Sequence, residues 1–310
     1  MRAPLLASID IGSNTILLLV GRIVDGKLHV ELQRKETVRL GGALDAASNL
    51  LPAAIERGLE CLHRYAGLIA HIPAEHRRAV ATQTLREAHN RADFLSQAQT
   101  ILGCPVELIS GEREAALIYQ GVSSMLPPTP ERRLVIDIGG RSTEICVGQG
   151  SELEIAASCP LGSVAWAQRF FGDGSLHAER FASASHAAQQ VLQQHLPPVL
   201  YRAPWEQVLG SSGTAGAISK ALHQAGYPAG EITHPTLMQL QQQLIQAGHI
   251  DRLPLHGVRD ELRPVIGGGV SIMCAVFEML KLQKMRIAQG ALRHGVLFEL
   301  QKTIAASDCH

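Results

Sequence analysis

One short motif is written twice in this chain, and it constrains the fold more than any other feature. Asp10-Ile11-Gly12-Ser13-Asn14-Thr15 returns 127 residues later as Asp137-Ile138-Gly139-Gly140-Arg141-Ser142-Thr143. Each copy follows an apolar run, Leu5 to Ile9 and Leu134 to Ile136, and each precedes another strand-like run. Self-similarity at a fixed offset means two copies of one supersecondary unit. At roughly 150 residues per domain, the length also predicts two domains. A third Gly/Ser loop, Gly210-Ser211-Ser212-Gly213-Thr214-Ala215-Gly216, follows Val208-Leu209 and opens a helix.

The surrounding pattern reads as β-hairpins followed by α, twice over. Leu5 to Ile11, Ile16 to Val24 and Leu28 to Arg34 read as strands, with Asp25-Gly26 as a hairpin turn. Leu50 to Ile72 has helical spacing, Arg78 to Thr82 is a short strand, Arg91 to Leu102 is a helix ending at Gly103, and Pro105 to Ile109 is a strand. Ser110 caps a helix running towards Met125. Met125 to Pro130 is the clearest linker. After it come strands at Leu134 to Ile138, Ser142 to Gly148 and Leu153 to Cys159, then helices at Val164 to Phe171 and Ala178 to Leu196. Gln207 to Leu209 is one more strand, Gly213 to Ala225 a helix, and the remainder is mostly helical. Gly267-Gly268-Gly269, in that helical stretch, reads as a helix break or close helix packing.

Composition removes several function classes. Hydrophobic residues are 46% and charged residues 18%, so disorder, collagen and coiled coil are excluded as overall descriptions. Lys+Arg and Asp+Glu are both 28, which argues against a nucleic-acid binder or a polybasic membrane binder. No apolar run approaches the roughly 20 residues needed to span a bilayer. The N-terminal apolar stretch is interrupted at Asp10, too soon for a secretory signal, so the expectation is a soluble, cytoplasmic protein. The six cysteines, Cys61, Cys104, Cys146, Cys159, Cys274 and Cys309, form no C-x-x-C pair and read as reduced, buried thiols. The 14 histidines show no zinc pattern.

A D-x-G-[GS]-x-[ST] turn has a physical logic. Glycine lets the backbone approach an anion. Successive N–H groups form a nest for phosphate oxygens, and a Ser or Thr hydroxyl donates as well. The aspartate can hold a metal ion beside the phosphate. Two such loops facing one another would grip a phosphate chain from both sides. No G-x-x-x-x-G-K-[ST] is present, so the chain is not a P-loop NTPase.

The paired loops resemble those of the actin, Hsp70 and sugar-kinase superfamily. More closely, the chain resembles the exopolyphosphatase / guanosine pentaphosphate phosphohydrolase (Ppx/GppA) family. Thr82 to Asn90 is similar to that family's T-x-x-[LF]-R-x-A-x-N segment, and Ile109 to Ala115 to its I-S-G-x-x-E-A segment. Asp137 to Glu144 resembles D-I-G-G-G-S-T-E, Leu161 to Val164 resembles L-G-x-V, and Gly290 to Leu297 resembles G-x-L-R-E-G-x-[IL]. The likeness spans essentially the whole chain. It implies the family's two-domain core, without the extra C-terminal domains of longer members. Two residues depart from the pattern: Arg141 replaces the third glycine of the second loop, and His294 stands in place of a glutamate. Glycine at the first of these suggests close backbone approach or a positive φ.

The resemblance implies an α/β fold of two actin-like (ribonuclease H-like) domains with an interdomain cleft and hinge closure over substrate. The first domain would run over 1–120, the second over 121–296, and a C-terminal helix at about 297–310 would pack back on the first. It implies Glu114 as the base that deprotonates water and Arg86 as the clamp on the terminal phosphate. Residues two apart on a helix point roughly 200° apart, so only one of Glu112 and Glu114 can face a site. The family match selects Glu114. Gly12, Ser13, Asn14, Gly139, Gly140, Arg141, Ser142 and Thr143 would cradle phosphate. Asp137 and Glu144, with Asp10 in the first loop, would hold Mg²⁺ or another divalent cation. The activity implied is release of terminal phosphate from inorganic polyphosphate. The alternatives are guanosine pentaphosphate hydrolysis, a kinase on the same fold, or a non-catalytic binder of polyphosphate or guanosine tetraphosphate. A homodimer is compatible with the resemblance. The basic pairs Arg34-Lys35, Arg77-Arg78 and Arg132-Arg133 read as solvated faces, with a polyanion track as the sharper alternative.

Overall fold

The structure is a computed structural model that describes residues 3–201, 204–253 and 262–307. Cys309 and the stretch 308–310 of the expected C-terminal helix lie outside the described residues. The chain divides into two compact units. One holds the residues up to Pro128 together with those from Gly290 onward, and the other is Thr129–Gln289.

The first unit begins with a meander, β1 (Leu6–Ile11), β2 (Thr15–Val24) and β3 (Lys27–Thr37). The turn after β2 puts Asp25 at φ 49° and Gly26 at φ 73°, the left-handed pair that a two-residue hairpin requires. Then follow α1 (Pro52–Ile69), β4 (Arg77–Ala81), α2 (Gln83–Glu87), α3 (Arg91–Leu102), β5 (Val106–Leu108) and α4 (Gly111–Ser124), while α10 (Leu292–Ser307) returns from the chain end. The sheet order is β3-β2-β1-β4-β5, antiparallel in the meander and parallel from β1 to β5. Period-2 alternation sends β2's side chains to two cores. Ile16, Leu18 and Val20 join the core that includes Leu62 and Tyr65 of α1 and Phe94 of α3. Leu19 and Ile23 join Leu297, Phe298 and Leu300 of α10. A strand segment buried on both faces must be apolar throughout, which is why the segment 16–20 reads as a continuous hydrophobic run.

The second unit repeats the plan: β6 (Arg132–Ile138), β7 (Thr143–Gln149), β8 (Glu152–Cys159), α5 (Ser163–Phe171), α6 (Ala178–His195), β9 (Gln207–Ser211), α7 (Ser212–Gln224), β10 (Glu231–Thr233), α8 (His234–Ala247), α9 (Ile266–Met279) and β11 (Lys284–Ile287). Its sheet order is β10-β11-β9-β6-β7-β8. Read from β8, the succession of meander and parallel strands is that of the first sheet, with β10 added antiparallel at the far edge. The register repeats as well. Ile11 faces Ile16 and Ile138 faces Thr143, while bulges fall at Val20/Gly21 and Val147/Gly148, each pair of positions 127 apart.

Two boundaries and two short strands differ from the sequence expectation. The break falls after Pro128, not at 120, because α4 continues unbroken to Ser124. Residues 290–296 belong with the first unit, not the second. A Cβ on Gly295 would lie 1.9 Å from the Leu117 carbonyl oxygen, so only glycine lets α10 approach α4 this closely. The tail is mostly helical, as the sequence suggests, except for the short strands β10 and β11. Lys284–Ile287 is a strand because β9 offers a parallel edge, with Arg286 opposite Leu209, a non-local pairing that four residues of sequence do not announce. Gly268 lies inside α9, where a Cβ would meet the Ser163 carbonyl oxygen at 2.5 Å, so the triple glycine is close packing and not a break.

Candidate active site

The two motifs occupy the same place in their units, the turn after the first strand of the meander. In the first, the Gly12 N–H donates to the Thr15 carbonyl at 3.1 Å; in the second, the Gly139 N–H donates to the Ser142 carbonyl at 2.9 Å. A Cβ on Gly12 would sit 3.0 Å from Thr15 O, and one on Gly139 3.1 Å from Ser142 O. Neither glycine has a positive φ, nor does Arg141. Close approach therefore explains the glycines, and Arg141 fits the second loop without left-handed strain.

The second loop is held from behind by the N-terminus of α5. The Gly139 carbonyl accepts from the Ser163 N–H (2.9 Å) and Oγ–H (3.1 Å), and the Gly140 carbonyl from the N–H groups of Val164 (2.8 Å) and Ala165 (3.2 Å). A trans peptide sets C=O and N–H on opposite sides. The N–H groups of Gly140 and Arg141 consequently point away from α5, as consecutive donors of an anion nest. Gly162 makes this possible, since a Cβ there would lie 2.2 Å from the Arg141 nitrogen. The first loop is backed in the same way by a turn. Gly41 N–H donates to the Ser13 carbonyl (2.7 Å), and Val38 and Arg39 N–H groups donate to the Asn14 carbonyl (both 3.0 Å).

Asp137 and Glu144 stand directly opposite one another on β6 and β7, and Ser211 is the parallel neighbour of Asp137 on β9. The corresponding pair in the first unit is Asp10 and Leu17, so only one of the two loops carries paired carboxylates. Glu144 is 2% exposed and accepts a 2.8 Å hydrogen bond from Ser158 Oγ, a partner that the sequence reading missed. No group of three His, Cys, Asp or Glu residues that could hold a metal occurs among the described residues. Two carboxylates are nonetheless the protein share that Mg²⁺ takes when substrate phosphates and water complete its shell. Burial, then the nearby Glu144 and Asp137 charges, pushes the Cys146 thiol well above its ordinary range; burial and Glu144 push Cys159 up to about 12. Both remain thiols, neither nucleophiles nor metal ligands.

The third Gly/Ser loop joins the second. Ser211 is 1% exposed, Ser212 has φ 89°, and Thr214 Oγ1 donates to Ser163 Oγ at 3.3 Å. Ser163 thus links both loops of the second unit.

In the first unit, α4 starts as expected. Ser110 Oγ accepts from the Arg113 N–H at 3.2 Å. Glu114 is 7% exposed while Glu112 is exposed, so the helix turns Glu114 inward. Arg86 Nη1 contacts Glu114 Oε2 at 2.8 Å and donates to the Ile109 carbonyl at 2.8 Å. Arg86 Nε and Nη2 both donate to Gln83 Oε1, at 2.9 and 2.5 Å. A buried carboxylate costs free energy unless paired and hydrogen-bonded, and Arg86 supplies the pairing. Four of its five N–H donors are committed, leaving one on Nη2.

His294 also finds its explanation. Ala291 ends the approach to α10 with no side-chain acceptor, and its N–H donates to His294 Nδ1 at 3.0 Å. His294 is the third residue of the helix, the position from which a glutamate closes a capping box. A neutral imidazole does the same work. Burial, then the Arg293 charge, pushes its pKa down to about 3. Of the basic pairs, Arg77 is committed to the carbonyls of Ile72, Leu102 and Ala70, Arg78 to Glu107 and Glu299, and Arg132 to Glu154, while Arg133 is 2% exposed. These four form no open polyanion track.

The family description "Ppx/GppA phosphatase family" matches residues 19–304. The chain belongs to the Ppx/GppA phosphatase family. It is 40% identical over 309 residues to a guanosine-5'-triphosphate,3'-diphosphate pyrophosphatase of Vibrio vulnificus, covering 99% of this chain and 61% of the relative. A protein of the same name from Aeromonas salmonicida is 41% identical over 298 residues, 96% of this chain and 60% of the relative. The chain thus spans about three fifths of the length of the curated relatives it matches. Among solved structures, a PPX-GPPA enzyme of Aquifex aeolicus aligns with a TM-score of 0.78 at 26% identity, over 96% of this chain and 100% of that one. An exopolyphosphatase of Cytophaga hutchinsonii aligns with a TM-score of 0.84 at 23% identity, over 96% and 98%. The family's fold, two actin-like α/β domains, is the one the repeated sheets display. No described helix is long and apolar enough to cross a membrane.

Proposed function

We propose that the chain hydrolyses a terminal phosphoanhydride bond and that guanosine pentaphosphate is its substrate. The observation that carries the reaction type is the buried Glu114 carboxylate, held at the start of α4 by Arg86. The choice of substrate follows the names of the relatives that match along 96–99% of this chain.

In this reading the outward amides of the second loop donate to phosphate oxygens, whereas Thr143, fully buried with its hydroxyl donating to the Leu161 carbonyl, shapes the loop and takes no phosphate, against the sequence expectation. Phosphoryl transfer asks the protein mainly for alignment and charge neutralisation. Substrate phosphate competes with Glu114 for Arg86, which frees the carboxylate to accept a proton from water. The water oxygen bonds to the terminal phosphorus as the anhydride P–O bond breaks, and guanosine tetraphosphate leaves with the bridging oxygen. The proton resting on Glu114 Oε2 then passes to solvent. Asp137 and Glu144 are the residues that would hold Mg²⁺, whose chemistry is charge neutralisation on the phosphate oxygens. Ser158 fixes the orientation of Glu144 for that task.

The test is phosphate release by the purified chain from guanosine pentaphosphate, long-chain polyphosphate and ATP, with Mg²⁺ and with chelator. The proposal expects release from guanosine pentaphosphate, abolished by chelation. Preference for polyphosphate would move the substrate assignment. Tight binding without release from any substrate would overturn hydrolysis.

A further inference from the structure

Arg39 is a bulky residue in a conformation that favours glycine, with φ 52°. It sits in the turn behind the first phosphate loop. Its N–H and that of Val38 both donate to the Asn14 carbonyl, and Gly41 two residues on binds the Ser13 carbonyl. Flanking Leu40 is fully buried, which fixes the turn. Glycines stand at 41 and 42 but not at 39, where the backbone would accept one most readily. A non-glycine residue held at a positive φ is strained, and such strain clusters at sites of function.

The side chain adds a second observation. The Arg39 side chain is exposed and has no hydrogen-bond or ion-pair partner among the described residues. The nearby acid Glu36 is already paired with Arg64 at 2.5 Å. Arg57, whose Nε donates to the Val38 carbonyl at 3.4 Å, is bound to carbonyls and not to a carboxylate. Two guanidinium groups therefore flank the turn that backs the first loop, and neither is neutralised by an acid.

We propose that Arg39 is a substrate-binding residue of the first unit, its guanidinium taking a phosphate group of the polyanionic substrate. A guanidinium presents paired donors that match two phosphate oxygens. The turn couples backbone and side chain: the amide of Arg39 orients the first loop through Asn14, and the exposed guanidinium belongs to the same residue. This rests on the proposed hydrolysis of a phosphoanhydride, but its test does not depend on turnover.

Arg39→Ala, Arg39→Lys and Arg39→Gly are compared with wild type in KM and kcat for guanosine pentaphosphate and in the calorimetric Kd of guanosine tetraphosphate. Loss of a charge-assisted hydrogen bond predicts a rise of about 10- to 100-fold in KM and Kd for Ala and Gly, with kcat held within about threefold. Lysine restores part of the affinity. Weakening by salt becomes shallower in the Ala and Gly variants, because one cation–anion contact is gone. Arg39→Gly relieves the left-handed strain, so it melts at the wild-type temperature or above while binding weakly. Kd and KM within about twofold of wild type in both variants would overturn the proposal and make Arg39 a solvated surface arginine. So would affinity lost only in step with a fallen melting temperature in Arg39→Gly. If wild type releases no phosphate, hydrolysis has failed, and the tetraphosphate Kd still decides the role of Arg39.

Discussion

Gly162→Ala places one methyl group where the second loop, residues 139–142, already is. The added Cβ would lie 2.2 Å from the Arg141 nitrogen, 2.3 Å from its Cα and 2.3 Å from the Gly140 carbonyl carbon. All three are backbone atoms, so no side-chain rotation relieves the contact. Ordinary contact begins near 3.4 Å, so loop and α5 must separate by about 1 Å. That separation breaks the hydrogen bonds from Val164 and Ala165 to Gly140, the bonds that turn the Gly140 and Arg141 amides outward. Overpacking of this kind costs roughly 1–3 kcal/mol of stability, and a 1 Å misplacement of a positioning group costs about 10²-fold in rate. Thermal unfolding and phosphate release are read on the same preparation. Gly216→Ala serves as control: it lies on α7 with nothing within 4 Å of a Cβ, and should gain up to about 1 kcal/mol with activity unchanged. Gly162→Ala with wild-type kcat and melting temperature would refute the reasoning that α5 sets the loop.

Two further outcomes follow from residues where the chain departs from its family. Because Arg141 has no positive φ, Arg141→Gly should change phosphate release by less than about tenfold, ~1.4 kcal/mol in barrier; a gain well beyond that would mark the natural protein as a damped enzyme. His294 is neutral in the fold, with its pKa pushed down to about 3, whereas an unfolded histidine titrates near 6.5. The unfolded chain binds the extra proton below that value, so the stability His294 contributes is complete above about pH 6.5 and is lost as pH falls towards 3. Wild type should lose up to about 1.4 kcal/mol per pH unit more than His294→Gln, which keeps an acceptor for the Ala291 N–H and does not titrate. Parallel melting-temperature curves for the two proteins between pH 7 and pH 5 would contradict this.

The repeat was legible because its signal is local and doubled. Asp10 to Thr15 and Asp137 to Ser142 keep their spacing, and the hydrogen bonds at Gly12 and Gly139 keep it in three dimensions. Glu114 was legible only with the family match, since the helical angle excludes one of two acids without saying which. Its commitment to Arg86 was not legible, because 28 residues separate the pair and only the parallel pairing of β4 with β5 brings their elements together. Ser158 and Ser163 are ordinary serines in sequence; the first acquires meaning from β7–β8 register, the second from α5 packing under the loop. Arg39 carries no sequence mark, since left-handed backbone is invisible in a residue that usually avoids it. β11 was missed because a four-residue strand owes its existence to its neighbour β9.

The central claim is that Glu114 takes the proton from the attacking water. Initial rates of phosphate release from guanosine pentaphosphate, for wild type, Glu114→Gln and Glu112→Gln under saturating Mg²⁺, test it most directly. Glutamine keeps the shape and the hydrogen bond from Arg86 but not the basicity, so kcat should fall by roughly 10²–10⁴ with KM nearly constant. Exposed Glu112 should be replaceable without loss. Full activity in Glu114→Gln, or loss in Glu112→Gln alone, would contradict the account.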